Sequence, residues 1–170
     1  GKSTLVACLL SDITPDAGQI RLRAQASSRD DEGLALTDVD PTSWRSVISW
    51  VPQSPTLVPG TILDNMGDLP QRDLDEAARA TGFDAVLATT PDGWNSTIGS
   101  GGVGLSVGQR QRLALTRALA ARSQVVVLDE PTAHLDAVSE ETVVRAIHAM
   151  REEGRTVIVI AHRNAIIEVA

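Results

Sequence analysis

The feature that most constrains the fold is a pair of short, continuous apolar runs, residues 125–128 and 157–160, separated by one amphipathic stretch. A β-branched run of this length marks a strand buried on both faces of a parallel sheet. Between the runs, residues 139–150 set Val143, Ile147 and Met150 on one side of a helix. Strand, helix, strand in that order is a βαβ unit with a right-handed crossover. Ligands of such sheets bind beyond the carboxyl ends of the strands. Asp129, Glu130 and His162 follow those ends and are expected on one sheet edge.

The remaining pattern is mixed α/β. Residues 4–13 form an apolar helix stopped by Pro15 and the turn around Gly18. Residues 19–23 alternate as a strand, 24–33 read as a loop, and a short helix near Pro41 leads into a strand over 47–51 that Pro52 ends. Residues 74–80 and 82–88 are helical, and 91–104, rich in glycine and small polar residues, are a long loop of the kind that is usually functional. Ser106 opens a helix to about Ala121 with a stripe of Val107, Ala114, Leu115, Ala118 and Leu119. A last helix begins near Asn164. No internal repeat is visible.

Bulk numbers exclude several classes. A chain of 170 residues supports a domain with its own core. A net charge of −7 gives no footprint for nucleic acid. No apolar run approaches the roughly 18 residues of a membrane span, and no secretory signal opens the sequence. The single cysteine, Cys8, sits among Leu5, Val6, Leu9 and Leu10 and reads as a buried structural thiol. Because the first residues are the tail of a longer motif, the sequence reads as a fragment cut at its front end.

That motif is Gly1-Lys2-Ser3-Thr4, the second half of the phosphate-binding pattern G-x-x-x-x-G-K-[ST]. Glycine lets the backbone approach phosphate, and a helix start offers free N–H groups and a positive dipole end. Lys2, the only lysine, can reach the β- and γ-phosphates, and the Ser3 hydroxyl can ligate Mg²⁺. Four residues carry little alone. Asp129 and Glu130 add two adjacent carboxylates at a buried strand end, where a phosphate-loop enzyme needs one acid to hold Mg²⁺ and a second can deprotonate the attacking water. A strand end with solvated acids accounts for the same two residues. Ser106 and Gln109 fit the S-x-x-Q capping box that starts a helix. That reading leaves Gly108 unexplained, since glycine is costly in a first helical turn. Close approach of the backbone to an anion explains it.

LSVGQRQRLALTRAL followed by VVVLDEPTAHLD resembles the signature motif and Walker B segment of ABC ATPases, and with GKST, Gln53 and His162 these stretches occur in that family's order along essentially the whole chain. The resemblance implies an α/β fold: a P-loop NTPase (RecA-like) core with a mostly parallel sheet, truncated at its N-terminus. Residues 1–53 and 123–170 would form the core, and 54–122 an inserted α-helical subdomain carrying the signature. ATP and Mg²⁺ are the implied ligands. Gly1, Lys2, Ser3 and Thr4 would hold phosphate, with Ser3 on Mg²⁺ and Thr4 near the α-phosphate. Gln53 matches the Q-loop glutamine that senses Mg²⁺ and γ-phosphate. Asp129 would support the metal, Glu130 would be the general base, and His162 matches the switch histidine on the γ-phosphate. Asp136 matches the D-loop aspartate that communicates across a dimer. Ser106, Gly108 and Gln109 belong to the signature, whose Ser106 and Gly108 would touch ATP held by a partner. His134 and His148 read as surface residues. The implied partners are a second ABC ATPase domain, head to tail in a homo- or heterodimer, and the transporter's transmembrane domain, at the cytoplasmic face of the cell membrane. Without the first residues of the phosphate loop the chain by itself is expected to hydrolyse ATP weakly or not at all.

Val51-Pro52-Gln53 followed by Leu57-Val58-Pro59-Gly60-Thr61-Ile62 and Asp64-Asn65 resembles the exporter subfamily. Two departures stand out: Ser100 replaces the acidic residue that exporters usually carry before the signature, and Val107 replaces the usual first signature glycine. LSVGQ with PTLVPGTI looks most like one subunit of the heterodimeric thiol-reductant exporters of the cytochrome bd assembly type, associated with cysteine or glutathione. About a hundred residues between phosphate loop and signature, with Pro and Gly throughout, leave no room for the coiled coil of chromosome-organising ATPases. A translation-factor-like ATPase and a weakly hydrolysing regulatory domain are the alternatives.

Overall fold

The computed structural model describes residues 1–24, 32–102, 104–132 and 137–161, with the side chains of 137–139 set aside. The chain divides into two compact units, Gly1–Ile48 and Ser49–Ala170.

In the first unit, helix α1 spans Lys2–Leu9 and buries Val6 and Cys8. It starts two residues earlier and stops sooner than the apolar pattern suggests. Its exit passes through Ser11, whose φ of 59° breaks the helical path well before Pro15. Strands β1 (Arg21–Leu22) and β2 (Leu34–Ala35) pair antiparallel. Helix α2 covers Pro41–Val47, with Asp40 as N-cap and Pro41 at the first helical position, where a missing N–H costs nothing. Asp40 accepts from the Ser43 N–H at 2.8 Å and the Ser43 hydroxyl at 3.0 Å, which holds its carboxyl below the usual range. Buried Trp44 donates its indole N–H to the Leu9 carbonyl at 2.6 Å and ties α2 to the end of α1.

The second unit carries the parallel strands. Strands β3 (Ile48–Val51), β6 (Val125–Asp129) and β7 (Thr156–Ile160) lie in the order β3-β6-β7, and β6 and β7 run parallel with Val126 opposite Val157 and Asp129 opposite Ile160. Central β6 has Val126, Val127 and Leu128 fully buried, as its β-branched run predicts. Strand β7 does not match the same expectation: only Ile160 is buried, because β7 has a strand neighbour on one side alone among the described residues. The crossover between them is α6 (Ala137–Glu152), whose Val143, Ile147 and Met150 are all 0% exposed.

Helices α3 (Gln71–Thr81), α4 (Asp84–Leu87) and α5 (Val107–Ala120) build the rest of this unit. α3 ends on Gly82 at φ 66°, the left-handed C-terminal stop that favours glycine. Leu74, Ala77 and Ala78 of α3 pack with Phe83, with Leu113, Leu115 and Leu119 of α5, and with the sheet residues Val126 and Leu128 in one apolar cluster. Burying a leucine fully in such a cluster is worth about 2 kcal/mol or more. At its polar centre Thr81 and Thr116 join α3 to α5 through hydroxyls 2.6 Å apart. The predicted long loop over 91–104 contains a short strand, β5 (Thr97–Ile98), paired antiparallel with β4 (Gly60–Thr61). Val107 is half exposed rather than part of the buried stripe, since it opens α5 instead of facing the core. The predicted helix near Asn164 and most of the 24–33 loop lie outside the described residues.

Candidate nucleotide site

The described motif residues lie at the start of α1, beyond the end of β3, at the end of β6 and at the start of α5. Lys2, Ser3 and Thr4 form the exposed first turn of α1, with no acidic residue there. A rung of the helix runs from the Leu5 N–H to the Gly1 carbonyl at 3.1 Å, so this turn is the N-terminal, positive end of the helix. A dipole end with cationic Lys2 and two hydroxyls suits an anion.

In the second unit, Asp129 is the last residue of β6 and Glu130 follows it. Glu130 has a φ of 48°, a left-handed conformation that costs a non-glycine residue about 1–2 kcal/mol. Its N–H donates to the Ile160 carbonyl at 2.7 Å, extending the β6–β7 ladder by one bond and fixing the turn. Gln53 lies two residues beyond β3, and its side-chain amide donates to Glu130 Oε2 at 3.0 Å. The carboxyl ends of the two neighbouring strands therefore meet at one edge, as ligand sites of open α/β sheets require. A second side-chain tie joins the same strand pair, between the Ser49 and Ser123 hydroxyls at 2.6 Å.

The signature forms the start of α5. Ser106 caps it: its Oγ accepts from the Gln109 N–H at 3.2 Å, and Gln109 Oε1 accepts from the Ser106 N–H at 2.7 Å. The capping-box reading is thus correct for Ser106 and Gln109. It leaves the N–H groups of Val107 and Gly108 unpaired by the helix itself, at an exposed positive dipole end. Gly102, just upstream, has φ 81°, and a Cβ there would stand 2.6 Å from Arg110 Cδ and 3.0 Å from Leu57 Cδ1. Only glycine lets Arg110 lie across this turn, where its guanidinium donates to the Leu105 carbonyl at 2.8 Å.

Asn65, noted in the sequence only as a subfamily mark, anchors the segment after Gln53. Its Oδ1 accepts from the Val58 N–H at 2.8 Å, and its amide donates to the Val58 and Thr61 carbonyls at 3.0 Å. The Arg117 guanidinium, whose pKa burial lowers, donates to the Asn65 carbonyl at 3.2 Å. Nothing in the local sequence around Asn65 reveals these partners, which are set by the fold of the loop. Asp136, His134 and His162 lie outside the described residues, and His148 is on the surface of α6.

A family model described as "ABC transporter" matches residues 1–133. The chain is 38% identical over 171 residues to the ATP-dependent lipid A-core flippase of Burkholderia pseudomallei, covering 99% of this chain and 27% of that protein. It is 36% identical over 167 residues to the type I secretion system ATP-binding protein PrsD of Rhizobium meliloti, covering 96% and 27%. Among solved structures, a bacterial Atm1-family ABC exporter with ATP bound superposes with a TM-score of 0.85 at 30% identity, over 98% of this chain and 28% of that one. The chain thus spans just over a quarter of the length of these relatives. With these matches, the chain belongs to the ABC transporter family, as an ATP-binding domain of exporter type.

Proposed function

We propose that the chain binds and hydrolyses ATP to drive export through a membrane domain. The observation that carries this reading is the meeting of Gln53 and Glu130 beside Asp129, although the first two are 77 residues apart in sequence. Lys2 and the N–H groups of the α1 start take the phosphates, with Thr4 toward the α-phosphate. By the family's motif pattern Ser3, Asp129 and Gln53 are the residues that would hold Mg²⁺, and a hydroxyl, a carboxylate and an amide oxygen are the hard donors this ion takes. Mg²⁺ would supply charge neutralisation on the phosphates. Glu130 takes a proton from water as the water oxygen bonds to the γ-phosphorus and the β–γ bridging bond breaks, releasing ADP and phosphate. His162 would contact the γ-phosphate.

Two such domains close head to tail, with Ser106 and Gly108 of one on the γ-phosphate held by the other and Asp136 communicating between them. ATP binding favours the closed pair, and loss of the γ-phosphate contacts opens it. The division into a core of residues 1–53 and 123–170 and a helical insert of 54–122 fits this cycle, as does a place at the cytoplasmic face of the cell membrane. For the cargo, LSVGQ and PTLVPGTI favour a thiol compound such as cysteine or glutathione, carried by a heterodimer. Changing Lys2 to Ala in the intact transporter tests the phosphate assignment. Equilibrium ATP binding should weaken at least tenfold, the scale of a lost charge-assisted contact; unchanged binding removes Lys2 from the site.

A further inference from the structure

The contact between Gln53 and Glu130 assigns the two ends of one amide to different tasks. An ionised carboxylate only accepts hydrogen bonds, so the end of Gln53 that meets Glu130 Oε2 at 3.0 Å is Nε2–H. The opposite end, Oε1, is the atom that a metal would take. The Glu130 main chain is already fixed, by a φ of 48° and by its N–H bond of 2.7 Å to Ile160. What the backbone leaves undetermined is the direction of the carboxylate at the end of a flexible side chain. Gln53 is well placed to set it, because its own strand is tied to β6 through the sheet and through Ser49 and Ser123.

The geometry points to Gln53 as the positioning residue of Glu130: its Nε2–H aims the carboxylate, while Oε1 remains available for Mg²⁺. This inference rests on the reading of Glu130 as general base. It goes beyond a metal-sensing role because it gives the donor end of the amide a task of its own. Misdirecting a reacting group by about 1 Å costs on the order of a hundredfold in rate.

Replacing Gln53 by Glu separates the two ends. The variant keeps an oxygen for the metal and sets a carboxylate against Glu130 in place of the donor. In the intact transporter, Mn²⁺ bound together with a non-hydrolysable ATP analogue is counted by its EPR signal, and kcat and KM for ATP are measured alongside. Mn²⁺ should bind at least as tightly as in wild type, since a carboxylate replaces an amide oxygen, while kcat falls about ten- to a hundredfold. Gln53→Ala should lose both. When Glu130 is already Gln, adding Gln53→Glu, which keeps the metal, should lower the residual rate less than about twofold. Full kcat in Gln53→Glu overturns the inference, as does an equal loss from Gln53→Glu in both backgrounds. If Glu130→Gln alone leaves phosphate release undiminished, the base assignment itself falls, a different outcome from either of these.

Discussion

Changing Gly108 to Ala should move stability and activity in opposite directions. Gly108 is the second residue of the 14-residue helix α5, where any L-residue fits the backbone and glycine is a poor choice. Alanine there should stabilise the domain by about 0.5–1 kcal/mol, through helix propensity and a less flexible unfolded chain. For a domain of this size that raises the melting temperature by about 1–4 °C. The added methyl would also stand beside the N–H groups that α5 leaves unpaired. Losing one charge-assisted hydrogen bond to a phosphate costs about 1.5–3 kcal/mol, or roughly ten- to a hundredfold in ATP turnover. Thermal melting without nucleotide and steady-state phosphate release, both on the intact transporter, give the two readings. A variant that melts higher and hydrolyses normally would refute the close-approach explanation for this glycine. One that melts lower would refute the claim that the position is simply helical.

Two further predictions concern helix packing and helix capping. Thr81 and Thr116 have two hydroxyl protons for four contacts: the Ala77 carbonyl at 2.9 Å, the Ala78 carbonyl at 3.3 Å, the Arg112 carbonyl at 2.8 Å and each other at 2.6 Å. Changing either to Val should cost about 1 kcal/mol, but the double change should cost less than the sum by a similar amount, because no hydroxyl is then stranded; urea denaturation measures this, and additive costs contradict it. Asp40 has a carboxyl pKa lowered in the fold by the Ser43 N–H and hydroxyl, so its stabilising effect is present above the unfolded carboxylate value near 4 and is lost as pH falls through the lower folded value. Asp40→Asn should keep the cap of α2 while removing that acid-side dependence, which pH-dependent melting would reveal as a flatter profile below about pH 4.

The parts of the fold legible in the sequence are those with a period long enough to repeat. The run through Leu128, the face of Val143, Ile147 and Met150, and the Ser106 cap each carry a local signature, and each has its predicted structure. The ladder of Gly60–Thr61 with Thr97–Ile98 does not, because two-residue strands are set by a partner far along the chain. The apolar run of β7 likewise reports strand content but cannot say which side is covered. For the site, residue types suggested an anion at Lys2 and acids at a strand end, while Gln53 emerged only through family resemblance. Its contact with Glu130 depends on β3 lying next to β6, and strand order is a non-local property. The strained φ of Glu130 was invisible for a related reason: no residue type announces it, and glycine, the usual mark of such a conformation, is absent there.

The central claim is that Glu130 removes the proton from the attacking water in an ATP site of this domain. The most direct measurement compares wild type and Glu130→Gln in the intact transporter, following bound radiolabelled ATP and released phosphate in the same sample. ATP binding within about twofold of wild type with phosphate release slowed a hundredfold or more is the result predicted for loss of the general base. Binding and release both unchanged would contradict the account.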